Sequence, residues 1–374
     1  PIIKFFASLK ITVTCIGLLF ILVLWGTIAQ TEIGLYAAQA RYFHSIIFLA
    51  FGFFPFPGGQ LILWVLFLNL ACSAITLLVY RWSHIGNLLV HFGLMVFFIA
   101  AFVTFHCSQE SYLTLQEGQA SNVSLDYHDW EISIWKDNAP QKKVTAYRGS
   151  FRTGQKIPMN QLGGFSLYVE EFYKNSKPVD SAADDGRKKY INASGIQALT
   201  KSVIDKDPSQ NIPGGKFVIK TPMEEAFDVL LYGGEQNPTK IQTNQGEFYI
   251  MLRKERYILP FKLKLIDFKM ENHPGTFMAR SYESKVMIET SGMNRDVLIS
   301  MNKPLRFGNF ALYQSSYHID DYGQESSTLS VVKNTGRYLP YIATAIMFLG
   351  LIILSVTMAF SSKNTPIVKE GLAI

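Results

Sequence analysis

Histidine is the residue type in this chain whose placement could carry chemistry. Seven are present in 374 residues, and three of them, His84, His91 and His106, flank or enter one strongly apolar stretch, 85–105. A ligating side chain inside such a stretch is costly and marks function by default. His91 lies inside it, about 9 Å in from Ile85 at 1.5 Å rise per residue. His84 stands seven residues earlier, about two turns away on nearly the same helical face. That face could hold a flat ligand edge-on, with an imidazole bound to its metal. Residue type alone leaves plainer roles open. His91 could hydrogen-bond a Ser or Thr of a neighbouring helix, and His84, beside Arg81 and Trp82, suits the level of lipid headgroups. His106 falls at an interface in the same way. His44, His128, His273 and His318 are scattered without metal-ligand spacing such as His-x-x-x-His, and read as surface histidines.

No other constellation in the sequence resembles an active site. It holds no Gly-x-Ser-x-Gly, no phosphate-binding Gly-rich loop and no His-Glu-x-x-His. The acid pairs Glu170-Glu171, Asp184-Asp185 and Glu224-Glu225 are adjacent, so in a strand their members point to opposite faces and read as solvated surface. The three cysteines, Cys15, Cys72 and Cys107, form no Cys-x-x-Cys. Neither a disulfide scaffold nor a thiol redox centre is expected. A self-contained enzyme is disfavoured.

The elements that must position His91 follow from where charge is missing. No charged residue lies between Lys10 and Glu32, Arg41 and Arg81, Arg81 and Glu110, or Arg337 and Lys363. A bilayer core of about 30 Å needs about 20 apolar residues in a helix, and each window supplies them. Four membrane-spanning helices are predicted, at about 11–29, 61–80, 85–105 and 338–360. The first, with nothing like a cleavable signal from Pro1 onward, reads as a retained anchor. A connector over 30–60 contains a short apolar run, Ser45–Phe53, at the interface, then the turn-rich Phe54-Pro-Phe-Pro-Gly-Gly59. A tight turn at Arg81–His84 joins spans two and three. Lys4, Lys10, Arg81, Lys363 and Lys369 fall on one side if the helices alternate. The positive-inside rule then puts both ends of the chain in the cytoplasm and the region 107–337 outside.

The net charge is +6, yet all but six of the 35 basic and all but two of the 29 acidic residues lie within 107–337. That domain is therefore nearly neutral and carries no basic stripe for nucleic acid. It reads as strands: Tyr112–Leu115, Trp130–Trp135, Lys216–Lys220, Glu247–Leu252 and Val297–Met301, parted by Gly, Pro, Asn and Asp. Phe165–Phe172 and Phe261–Phe268 echo each other, as a duplicated module or simply two amphipathic strands would. The polar stretch 175–215 reads as a loop excursion. The expected architecture is thus a four-helix membrane bundle with a large extracytoplasmic all-β domain inserted between helices three and four. Its domains are 1–106, 107–337 and 338–374.

Three segments give the chain a family likeness. They are Phe5-Phe-Ala-Ser-Leu-Lys-Ile-Thr12, Val90-His-Phe-Gly-Leu94 with Thr114-Leu-Gln-Glu-Gly118, and Met301–Tyr317 leading through Val331–Arg337 into span four. In these the chain resembles the ResB/CcsB proteins of the System II cytochrome c biogenesis pathway. The resemblance implies that His91 is a haem-iron axial ligand, with His84 a second candidate, and that haem b is held transiently as transported substrate. It implies a ResC/CcsA-like membrane partner that supplies the opposite axial histidine, a Trp-rich loop and the outer haem ligands. Apocytochrome c, a thioredoxin-like thiol reductant and membrane lipid complete the implied partners. It further implies a bacterial cytoplasmic membrane, or a thylakoid membrane for a plastid-type protein, and a place in a haem-lyase complex. Tyr313, Gln314 and Tyr317 match a family motif, though aromatics at strand spacing are more often core. Two rival readings differ in class. A b-type haem electron carrier should show paired histidines on two helices, and here the interior histidine is solitary. A membrane-anchored sensor or binding protein should carry an output module.

Overall fold

A computed structural model describes residues 2–136, 145–159, 164–179, 190–276, 279–290, 292–320 and 322–363. Asp184, Asp185 and the tail with Lys369 lie outside the described residues, as does part of the 175–215 stretch. The chain folds as two compact units, residues up to Gln109 together with those from Lys333 onward, and Glu110–Val332.

The first unit is helical. Its elements are α1 (Ile2–Phe6), α2 (Leu9–Ile33), α3 (Leu35–Ala38), α4 (Gly59–Thr76), α5 (Ile85–Cys107) and α6 (Leu339–Lys363). Among the described residues four helices, α2, α4, α5 and α6, are long and apolar enough to cross a membrane. The predicted spans are therefore present, with shifted ends. α4 starts at Gly59 and stops at Thr76 rather than Tyr80, and Trp82–His84 form a short 3-10 turn leading into α5. The connector is more ordered than its composition suggests. Gln39–Phe43 form a π-helical turn, and β1 (Ile47–Ala50) pairs antiparallel with β2 (Phe54–Pro57). Trp25 of α2 holds this hairpin, with ring centroids 5.2–5.9 Å from Tyr42, Phe48, Phe51 and Phe56.

Polar groups in an apolar unit need internal partners. The break between α1 and α2 exposes backbone carbonyls, and buried Asn69 of α4 answers them. Its Nδ2 donates to the Phe6 and Ser8 carbonyls at 2.5 and 3.0 Å, while its Oδ1 accepts from Thr12 Oγ1 at 2.7 Å. The Phe-Phe-Ala-Ser segment is thus a helix break clamped onto α4. α5 and α6 meet along small residues. A Cβ on Gly86 would lie 2.7 Å from the Leu354 nitrogen and 2.9 Å from the Gly350 carbonyl. One on Gly350 would lie 2.8 Å from the Gly86 carbonyl. Gly93 meets Met347 and the Ala343 backbone in the same way. Gly86, Gly93 and Ala100 are the buried residues of α5, one heptad apart, and form a seam of close backbone approach.

The second unit is β-rich, as predicted. In chain order its first strands are β3 (Ser108–Gln116), β4 (Ala120–Lys136), β5 (Thr145–Arg148), β6 (Lys156–Met159), β7 (Phe165–Tyr173) and β8 (Ser176–Val179). Then come β9 (Ala198–Lys201), β10 (Gly214–Lys220), β11 (Ala226–Tyr232), β12 (Thr239–Thr243) and β13 (Gly246–Asn272). The last are β14 (Ala279–Thr290), β15 (Met293–Ser300), β16 (Leu305–Phe307), β17 (Phe310–Ile319) and β18 (Glu325–Asn334). Within the 175–215 stretch, expected as loop, β8 and β9 pair with each other. One sheet runs β11-β10-β7-β6, and a larger one runs β15-β14-β13-β4-β3-β18-β17-β16 with β5 and β12 on its flank.

Two hydrophobic cores result, and β13 enters both. Phe248, Ile250 and Leu252 face the first, with Leu167, Phe217 and Ile134. Leu259, Phe261, Leu263 and Leu265 face the second, with Leu113, Val286 and Leu329. The buried positions change from even to odd between these runs. Side chains alternate strictly along a strand, so only an irregular register allows that change. The pairing of β13 with β4 shifts between Lys254 and Arg256 and again between Ile258 and Leu263. Such bulges re-aim a strand. The two segments read as separate strands are therefore one 27-residue strand. Phe165–Phe172 and Phe261–Phe268 face different cores with the same alternation, which the burial of one face suffices to explain.

Charge fills the waist between the cores. Buried Glu131 accepts from Arg253 Nε and Ser133 Oγ, each at 2.9 Å, and from Arg148 Nε at 3.4 Å. The Arg253 guanidinium also stacks over Trp135 at 5.4 Å. Burial pushes the neighbouring Glu255 carboxyl above its ordinary range, against the opposing pull of Arg148. Of the family-like Tyr313, Gln314 and Tyr317, the last two serve packing here, while Tyr313 is exposed. Gln314 Oε1 accepts from Ser284 Oγ at 2.7 Å, its Nε2 donates to Ser327 Oγ at 3.0 Å, and Tyr317 stacks on Phe268 at 5.5 Å. Likewise Glu117 accepts from the Phe268 N–H at 2.7 Å, which pins the Thr-Leu-Gln-Glu-Gly turn to β13.

Two expectations test this fold. Arg253→Ala leaves the Glu131 carboxylate buried without its closest cation and with only Ser133 and Arg148 as partners, at a cost of about 3–5 kcal/mol. Circular dichroism of the purified protein on heating should show the β-structure melting earlier, and an unchanged midpoint would mean the pair does not hold the waist. In the helical unit, Gly86→Ala and Gly350→Ala should each lower the temperature at which buried Cys15 and Cys72 react with a thiol dye. Gly17→Ala, which meets nothing within 4 Å, should not lower it. Equal behaviour of all three variants would dismiss the seam.

Candidate functional site

The Gly86-Gly93-Ala100 seam fixes which way the rest of α5 points. At 100° per residue, His84, His91, Phe98 and Phe105 form a second heptad row, about 140–160° around the helix from the seam. The row faces away from α6. The periodicity of α5 thus sets His91, Phe98 and Phe105 on one face as an aromatic track, with His84 in the 3-10 turn that precedes the helix.

His91 is half-buried, and its Nδ1 sits 2.9 Å from the Asn87 carbonyl oxygen one turn earlier. A carbonyl only accepts, so Nδ1 carries the proton in this hydrogen bond. Nε2 then holds the lone pair and is the ring nitrogen able to coordinate a metal. This is the arrangement by which ligating histidines have tautomer and ring orientation set through the other nitrogen. The interhelical hydrogen bond considered for His91 is replaced by this bond within its own helix.

His84 closes the 3-10 turn before α5, its backbone N–H donating to the Arg81 carbonyl at 2.9 Å, and it is exposed. Standing in the turn that leads into α5, seven residues before His91, it would approach a flat ligand from the same side. Axial ligands stand on opposite sides, so the structure does not bring these two together as a pair. Among the described residues no three His, Cys, Asp or Glu side chains group as a metal site.

The sequence passes over another arrangement. His44 and His106, read there as isolated surface and interface residues, both line a cavity between α4 and α5. Their rings flank Phe105, with centroid distances of 4.8 and 4.9 Å, and His106 also lies 4.4 Å from Phe102. His106 could have been tied to the track from its spacing to Phe98 and Phe102. Nothing local announces His44, which depends on the folding of the connector. Elsewhere His128 sits on an irregular turn of β4, where Asp126 accepts the His128 and Asp129 N–H groups at 2.7 Å. His273 and His318 lie near a turn and a strand end.

Comparison with known proteins converges on one group. The ResB-like family matches residues 228–326, a stretch from β11 to β18 that includes Arg253 and Glu255 of the waist and most of the second core. Protein NrfI of Wolinella succinogenes is 23% identical over 371 residues, covering 96% of this chain and 36% of the relative. The chain therefore spans about a third of the length of that relative. The similarity runs through all four apolar helices as well as the β-rich unit, so what is shared is the whole arrangement and not one module. This multi-pass chain with its inserted β-rich unit is thus similar to the ResB-like family in the strands of that unit and to Protein NrfI along nearly its full length.

Proposed function

We propose that this chain is a membrane subunit of a cytochrome c biogenesis system, and that it handles haem as a transported substrate through His91. The similarity to the ResB-like family and to Protein NrfI supports the biogenesis role. The observation that carries the haem reading is the His91 Nδ1 to Asn87 bond of 2.9 Å, which leaves Nε2 unprotonated on the α5 face turned away from α6. A neutral imidazole with a free lone pair, set in an apolar helix, suits haem iron.

Haem enters beside α5, and His91 takes one axial position. The opposite ligand comes from a helix outside this chain, since His91 is the only histidine inside any of the four long apolar helices apart from His106 at the end of α5. That partner is a ResC/CcsA-like subunit, which with this chain passes haem across the membrane for attachment to apocytochrome c. The basic residues flanking the helices favour cytoplasmic ends and a β-rich domain outside. That domain shields the haem or receives the apocytochrome.

The test is the absorption spectrum of the protein purified with its ResC-like partner. Wild type should show low-spin haem, His91→Ala should lose it, and added imidazole should restore it by entering the vacated axial position. His84→Ala should leave the spectrum intact. A His91→Ala spectrum identical to wild type would move haem ligation away from α5.

A further inference from the structure

The β1–β2 hairpin of the connector is apolar on both faces. Phe48 and Ala50 turn inward and are buried, while Ile47 and Leu49 turn outward and are 58% and 53% exposed. A hairpin with one face in water alternates apolar with polar residues, yet no polar side chain occurs from Ile46 to Pro57. The tip is the extreme case, with Phe51 78% and Phe53 77% exposed. We infer that this hairpin is a membrane-inserted wedge, its aromatic tip entering the acyl region of one leaflet beside α2. The partner that the surface fits is lipid, and the tip goes deeper than a connector lying at the interface. The inference concerns no residue of the haem reading and does not depend on it.

Three observations carry it. The first is depth. Glu32, near the end of α2, is charged and belongs with the headgroups. Trp25 stands seven residues before it, about 10 Å further into the apolar span. The Phe51 ring centroid lies 5.2 Å from that of Trp25, with Phe48 at 5.8 Å and Phe56 at 5.9 Å. The chain therefore leaves α2 at Ile33 and doubles back along it, which brings the tip below the charged end of the helix.

The second is the turn. Phe51 and Gly52 both take positive φ, +54° and +84°. Hairpin turns in water fill such positions with Asn-Gly or Asp-Gly, and a phenylalanine there is uncommon. This turn accepts the strain and keeps its tip apolar, which is of use where the tip is out of water.

The third is the edges. Unpartnered backbone groups facing lipid are costly, and this hairpin presents few. The Gly58 N–H donates to the Ile46 carbonyl at 2.8 Å, so by register Phe48↔Phe56 and Ala50↔Phe54 are the hydrogen-bonded pairs. Ile47↔Pro57 and Leu49↔Pro55 then point their backbone groups outward. On β2 these positions are prolines and offer no N–H. On β1 the Leu49 carbonyl accepts from Arg41 Nη2 at 3.0 Å. The outward N–H groups of Ile47 and Leu49 remain, and lipid ester carbonyls just below the headgroups can accept them.

The test uses the full-length protein in phosphatidylcholine nanodiscs, with Cys107→Ser so that only the buried Cys15 and Cys72 remain. A nitroxide is attached in turn at Phe53→Cys, Phe54→Cys and Glu32→Cys, all exposed positions. Power saturation of the electron paramagnetic resonance signal reads the depth of each label. Oxygen concentrates in the acyl region, and a nickel chelate stays in water. The labels at 53 and 54 should collide mainly with oxygen, at a depth of about 5–10 Å below the headgroups. The label at 32 should collide more with nickel. Thermal melting of each variant should match the Cys107→Ser parent, since the replaced side chains are exposed. Nickel collision at 53 and 54 equal to or above that at 32 would place the tip in water and overturn the inference. Tip labels shielded from both reagents would overturn it as well, because a second copy or another protein would then cover the surface.

Discussion

The functional geometry of the helical unit depends on the close approach of α5 and α6. Where Gly86 faces Gly350, no side chain separates the two backbones, and a methyl group on either would lie within 3 Å of the other's backbone. In an apolar medium helices gain little from burying apolar surface against each other, so contact of this kind sets their association. It also removes rotational freedom. Once Gly86, Gly93 and Ala100 are turned to α6, His84, His91, Phe98 and Phe105 must face the other way. The orientation of the proposed haem ligand is thus a consequence of three small residues that touch no ligand.

The same logic of constraint at a distance holds in the β-rich unit. β13 can serve two cores only because its pairing with β4 slips at the waist, where buried Glu131, Arg253 and Glu255 meet the half-exposed Arg148. A charged cluster there contributes less net stability than an apolar plug would. What it provides is register, because an Arg-carboxylate pair tolerates far less sliding than packed aliphatic side chains. The family-like segments behave alike. Asn69 clamps the break in the first helix, Glu117 ties a turn to β13, and Gln314 joins three strands through Ser284 and Ser327. Much of what makes the sequence recognisable therefore specifies the scaffold.

The readings that needed only local information were legible. Charge-free windows mark helices because no span tolerates several unpaired charges, and alternation marks strands because one face is buried. The ends of α4, the β1–β2 hairpin and the continuity of β13 were not legible. Phe54-Pro-Phe-Pro reads as a turn until Trp25 is seen to hold it as a strand. Two hydrophobic runs in β13 read as two strands because the bulge between them breaks the alternation.

For the site, the sequence by itself determined that His91 lies within an apolar helix with His84 on the same face, since spacing along one helix needs no partner. Only the tertiary structure decided which nitrogen of His91 is available, because that follows from a hydrogen bond. It likewise decided which way the face points, because that follows from the α6 seam, and it set His44 and His106 each against Phe105. Those two residues are 62 positions apart, and their sharing of Phe105 depends on glycines that let the connector lie against α2 and α4. Periodicity describes one helix at a time, while a site between helices exists only after they have packed.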